Sequence, residues 1–136
     1  MKKFYQVMIC GILLISTVIV FSGCKKKSDT VTYPSVAFIV TYVNVTLDSG
    51  PGVQFYANCS STDVKMTKVE ILDPIHSGTA TYNLNGTAYV KSQIFGLQDA
   101  TTGYVKEAGT YQITFTGLRT ADSAPFSIIE NVAVSK

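Results

Sequence analysis

Side chains able to do chemistry are few in this chain, and they are scattered. There are three cysteines, Cys10, Cys24 and Cys59, and a single histidine, His76. A cysteine nucleophile needs a base within hydrogen-bonding reach. Cys59 ends an alternating, strand-like run and His76 follows the turn Asp73-Pro74, so Cys59 is expected to be a small buried hydrophobe. The acids Asp48, Asp63, Glu70, Asp73, Asp99, Glu107, Asp122 and Glu130 stand singly. They form no D-x-D-x-D-G loop, and the chain holds no P-loop, GxSxG elbow or dinucleotide fingerprint. No metal, no cofactor and no enzymatic activity are therefore expected. Tyrosine, by contrast, is abundant, and aromatic faces are what sugar-binding modules stack against pyranose rings. Tyr56, Tyr82, Tyr89 and Tyr104 are the candidate ligand contacts. The competing reading for each is packing on a sheet face.

Cys24 sits in a different context. Lys2 and Lys3 are followed by an apolar run from Val7 to Phe21, then by the small residues Ser22 and Gly23. This resembles a bacterial lipobox, where a peptidase cuts before the cysteine and the thiol takes diacylglycerol, with palmitate among the acyl chains. Phe21 stands where such motifs usually carry Leu. The run from Phe4 to Phe21 is also long enough for a spanning helix, but a spanning helix does not require small-small-Cys after it. The expected organisation is a signal peptide over 1–23, a lipidated tether over 24–34 and one domain over 35–136. Lys25 takes the place of the Asp that retains lipoproteins in the inner membrane, which favours the outer membrane. The basic Lys25-Lys26-Lys27 replaces the acidic signal usual for surface export, so both the periplasmic and the surface face stay open. The same cluster suits contact with anionic head groups or a solvated linker.

Charge narrows the partners. The whole chain has a formal charge of +2, but removing Lys2 and Lys3 leaves nine basic and nine acidic residues from Cys24 onward. From Val31 onward the balance is six basic against eight acidic, or −2. Nothing in that balance favours nucleic acid. Only Cys59 remains outside leader and tether, which leaves no internal disulfide. About 100 residues suffice for one core without such staples.

The elements follow from periodicity. Val36 to Leu47 is rich in β-branched and aromatic residues and reads as one strand or two. Asp48-Ser49-Gly50-Pro51-Gly52 is a turn. In Val53–Cys59, residues 53, 55, 57 and 59 share one face and are expected inside. Over 66–72, Thr67, Val69 and Ile71 alternate with Lys68 and Glu70, a half-exposed strand. Thr79–Leu84 and Thr87–Phe95 flank Asn85-Gly86, a strong hairpin signal that sets Tyr82 and Tyr89 facing each other across the pair. A short helical turn is conceivable around 97–100. Tyr111, Ile113 and Phe115 alternate within 107–117, and Pro125–Val134 is the last strand. The expectation is an all-β chain: an immunoglobulin-like antiparallel β-sandwich of about seven strands.

Glu107-x-Gly109-x-Tyr111 resembles the tyrosine corner of immunoglobulin-like sandwiches, in which the Tyr hydroxyl ties back to upstream backbone. Ile113 stands where antibody domains carry a cysteine, as in disulfide-free relatives of the fibronectin type III and PKD kinds. The chain has no Trp, so Val69 or Ile71 is expected to fill the space of the usual core Trp. The whole chain resembles small immunoglobulin-like outer-membrane lipoproteins of anaerobic Gram-negative bacteria. That resemblance implies a lipid-anchored, non-enzymatic module acting by protein contact or adhesion at the outer membrane. The alternative is a small glycan-binding accessory lipoprotein. Its partners would be the membrane, through the lipid on Cys24, and an envelope protein or glycan. Asp29-Thr30-Val31 and Asp122-Ser123-Ala124 resemble acceptor triplets of periplasmic O-glycosylation, which makes Thr30 and Ser123 candidate modification sites.

Overall fold

The computed structural model describes residues 30–98 and 103–136. The leader, Cys24 and Asp29 lie outside the described residues, as do residues 99 and 100 of the expected helical turn at 97–100. The chain divides into two units, Met1–Thr32 and Tyr33–Lys136, and the second is a β-sandwich. Its strands are β1 (Phe38–Leu47), β2 (Gly50–Cys59), β3 (Val64–Leu72), β4 (Thr79–Tyr89), β5 (Phe95–Gly96), β6 (Tyr104–Val105), β7 (Gly109–Arg119) and β8 (Pro125–Val134).

Sheet A has β2 in the middle, with β1 on one side and the short β5 and β6 on the other. Sheet B runs β4-β3-β7-β8, and every pairing in both sheets is antiparallel. The chain crosses between sheets after β2, β4 and β6. This is an immunoglobulin-like sandwich of eight strands. β1 is one unbroken strand, paired with β2 from Phe38–Cys59 to Leu47–Gly50 around the turn Asp48-Ser49.

The core is built from one row of each central strand. Val53, Phe55, Ala57 and Cys59 of β2 face Val64, Met66, Val69 and Ile71 of β3 and Tyr111, Ile113 and Phe115 of β7, and all are buried. Burying each large apolar side chain contributes about 1.5–3 kcal/mol. The Phe38 ring stacks on Phe115 at 4.1 Å between centroids, closing the β1 side of the core. Val69 and Ile71, the residues expected in place of a core Trp, are both buried.

Two expectations about sheet B are corrected. The alternation of β3 breaks at Thr67, which is exposed while Met66 and Val69 are buried. The cause is a bulge: Met66 pairs with Gly117 and Lys68 with Thr116, so Thr67 has no partner on β7. One extra residue resets the two-residue period. The freed hydroxyl donates to the Thr116 carbonyl at 3.0 Å.

Asn85-Gly86 does not close a hairpin. Both residues have positive φ, 50° and 80°, as the dipeptide favours, yet 79–83 and 87–89 pair with the same strand, β3. Lys68 pairs with Asn83 and Met66 with Thr87, so residues 84–86 bulge out opposite Thr67. Thr87 Oγ1 donates to the Leu84 carbonyl at 2.6 Å across the base of this bulge. The expected return strand over 87–95 is thus the end of β4, followed by a loop and β5.

Candidate functional site

On one lateral side the sandwich is closed by tyrosine hydroxyls. Tyr82 reaches in from β4 of sheet B and Tyr104 from β6 of sheet A. Tyr104 Oη donates to Tyr82 Oη at 2.7 Å and lies 3.4 Å from the Leu97 carbonyl. The Tyr104 ring leans on Phe55, 5.8 Å between centroids. Burial, reinforced by the Tyr82 hydroxyl, pushes the Tyr104 phenol well above its ordinary value. Its neutral form is held, and it acts as a hydrogen-bond donor.

Two clefts open along this side. One, of about 310 Å³, is lined by Ile71, Asp73, Thr79, Ala80, Tyr104 and Tyr111. The other, of about 100 Å³, is lined by Val69, Tyr82, Leu84, Gly96, Leu97 and Gln98. Asp73 accepts from the Ser77 backbone N–H at 2.8 Å and from the Ser77 hydroxyl. The Ser77 hydroxyl bond holds its carboxyl below the ordinary range. The arrangement offers a carboxylate, a threonine hydroxyl and phenol groups around an apolar floor, a polar-apolar mix suited to a hydroxylated ligand.

Tyr111 ties the two sheets together beside the larger cleft. Its hydroxyl donates to the Val105 carbonyl at 3.0 Å and accepts from the Glu107 backbone N–H at 3.1 Å. Gly109 is needed for the approach: its φ is 139°, and a Cβ there would stand 2.6 Å from Pro74 Cβ. This is the upstream tie a tyrosine corner makes. Glu107 enters through its backbone.

The four candidate tyrosines do not form one surface. Tyr82 and Tyr104 meet, as described. Tyr89 does not face Tyr82 across a hairpin; the bulge keeps both on β4, opposite Val64 and Val69. Tyr89 instead stacks on Phe95, 4.2 Å between centroids. Tyr56 lies on the outer face of sheet A, half-buried, its hydroxyl donating to Gln54 Oε1 at 3.2 Å. Cys59 is buried, with Sγ 3.6 Å from Ser61 Oγ. His76 is exposed beyond the far end of β3, on the order of 25 Å from Cys59 at the rise of a strand. Among the described residues no three His, Cys, Asp or Glu side chains gather as a metal site.

Ser123 is exposed in the β7–β8 turn with φ 58°. Asp122 beside it forms a bidentate pair with Arg119, 2.8 and 2.6 Å. Thr30 is exposed too.

Two features escape sequence reasoning. Arg119 also donates to the Pro34 carbonyl at 2.6 Å and lies over the Tyr33 ring at 5.3 Å, latching the start of the sandwich unit. No local pattern links residues 85 apart. The other is the outer face of sheet A, where Ile39, Thr41 and Val43 of β1 lie beside Asn58, Tyr56 and Gln54 of β2. Ile39 is 53% and Val43 46% exposed. A signal existed: Phe38–Leu47 and Gly50–Cys59 contain no charged residue. Comparison of the chain with protein-family models, curated proteins and solved structures finds no match.

Proposed function

We propose that this chain is a lipid-anchored, non-enzymatic immunoglobulin-like module that acts by protein contact at the outer membrane. The anchor is Cys24, on the pattern of its preceding residues. The observation that carries the contact role is the outer face of sheet A, which presents Ile39, Val43 and Tyr56 to solvent without a charge. Apolar side chains grouped on one exposed, uncharged sheet face suit contact with another protein. The sandwich unit starts at Tyr33–Pro34, at the end of the 60–63 and 120–124 loops. The opposite end of the sandwich, with the Asp48-Ser49 turn and the 73–78 loop, would extend the contact.

The test is in-cell photo-crosslinking of the full chain from position 43, with position 112 on the outer face of sheet B as the control. Protein adducts from 43 and none from 112 are expected. Equal labelling, or none at 43, overturns the reading. Palmitate labelling that survives Cys24→Ser overturns the anchor separately.

A second reading, a glycan-binding accessory lipoprotein, is favoured by the 310 Å³ cleft with its Tyr104, Thr79 and Asp73 groups. It predicts a glycan-array signal that Tyr104→Phe weakens, since that change removes only the hydroxyl. An array without signal removes it.

A further inference from the structure

The lateral strands of the sandwich meet solvent differently. β4 interrupts its ladder with the bulge at 84–86. β8 begins with Pro125 and sets Glu130 opposite the buried Ile113, on the inward row. β5 and β6 are two residues each. Bulges, inward charges, edge prolines and short strands all make an edge a poor template for another strand. β1 has none of these devices. It runs ten residues with no charge, no Pro, no Gly and no bulge.

Its free edge is also complete. A two-residue turn makes Leu47–Gly50 a hydrogen-bonded pair, so Val45, Val43, Thr41 and Ile39 follow as the residues bonded to β2. The far side of β2 agrees. Phe55 N–H donates to Gln98 Oε1 and its carbonyl accepts from Leu97, while the Pro51 carbonyl accepts from Lys106. Those β2 residues face away from β1, and so do their partners, Tyr42 and Thr46, from β2. Phe38, Val40, Tyr42, Asn44 and Thr46 therefore aim their N–H and C=O groups out of the edge. Among the described residues nothing pairs with them.

We propose that this edge pairs with the same edge of a second copy, antiparallel about a two-fold axis at Thr41. The residue pattern fits its own reverse. That register sets Ile39 opposite the second copy's Val43, Thr41 opposite Thr41, and Val40 opposite Tyr42. These are β-branched, threonine–threonine and aromatic–aliphatic pairs, the favourable cross-strand kinds. The register uses the outward N–H and C=O groups of residues 38, 40, 42 and 44. No charge on β1 or β2 opposes its own image, the usual bar to joining identical edges. A foreign strand would need no such symmetry in β1. The proposal names the partner for the contact role above and rests on that reading for its purpose; the pairing itself needs only the sandwich.

Thr41 faces its counterpart in a non-hydrogen-bonded pair, about 4.5 Å between Cα atoms, within disulfide range. The experiment is mild oxidation of cells carrying full-length Thr41→Cys, with Thr81→Cys on β4 as control, read on non-reducing gels. At least tenfold more covalent dimer is expected from Thr41→Cys. Adding Val43→Lys, a change at an exposed position, is expected to cut that dimer about tenfold while the chain stays equally protease-resistant. A monomeric Thr41→Cys chain, a yield equal to the control, a ladder of higher species, or a cross-link to a different protein each overturns the second-copy pairing. The photo-crosslinks from position 43 still report on the contact reading, so the two failures are distinguishable.

Discussion

The strands of sheet A contain no charged residue, whereas those of sheet B carry Lys65, Lys68, Glu70, Arg119 and Glu130. Both sheets supply inner rows to one apolar core, so the difference lies outside. On sheet B, Lys68 and Glu70 pair at 3.0 Å on an outer face of threonines and glutamine, where the exposed Ile129 and Leu118 stand among polar neighbours. On sheet A the equivalent face is Ile, Thr and Val beside Tyr56. The edges follow the same division, with bulge, proline and inward glutamate on sheet B and a plain ten-residue ladder on sheet A. Charge and irregularity keep a surface in water; their absence from sheet A leaves it suited to being covered.

If the sheets differ only outside, the core should not distinguish them. Phe55→Ala from sheet A and Phe115→Ala from sheet B are each expected to cost about 3–5 kcal/mol, read by denaturant unfolding. A large asymmetry would break the comparison. The tie between sheets is tested next. Tyr111→Phe leaves the Val105 carbonyl and Glu107 N–H without their partner, an expected loss of about 1–3 kcal/mol.

The alkaline limb of stability reads the other cross-sheet contact. Burial holds Tyr104 above its ordinary value of 10.0 in the folded state. The native state thus binds this proton more tightly than the unfolded chain, and the stability it provides is present below pH 10 and lost as pH rises further. Tyr104→Phe is expected to flatten that fall in a pH series of unfolding midpoints. Gly86→Ala places a side chain at φ 80° in the β4 bulge and is expected to cost about 1–2 kcal/mol. The smallest effect is expected at the outer charge pair: both side chains are more than a third exposed or close to it, so Glu70→Gln should cost under about 1 kcal/mol.

Particular segments show why some of this was legible beforehand. Pro125–Val134 is the last strand as the sequence predicts, and the inward row 53, 55, 57 and 59 of β2 is buried throughout. Both rest on a two-residue period that any sandwich must respect. The tyrosine corner was legible because all its partners lie within 105–111. Asn85-Gly86 shows the limit. The dipeptide took the backbone angles it favours, but β3 chose what followed by pairing with both flanks. Thr67 failed for the same cause, since its bulge exists only against Thr116 and Gly117. The meeting of Tyr82 with Tyr104, and of Arg119 with Pro34, had no local signal.

Residue types and their alternation, then, determined the all-β class, the buried rows and the local tie at Tyr111, because each depends on neighbours in the chain. Which strands are edges, which edge lacks a guard and which tyrosines meet were decided by the tertiary structure, because strand pairing joins residues far apart in sequence. The uncharged run from Phe38 to Leu47 was visible throughout. Only its position at a sheet margin, with one row of backbone groups facing outward, made it a surface for another strand.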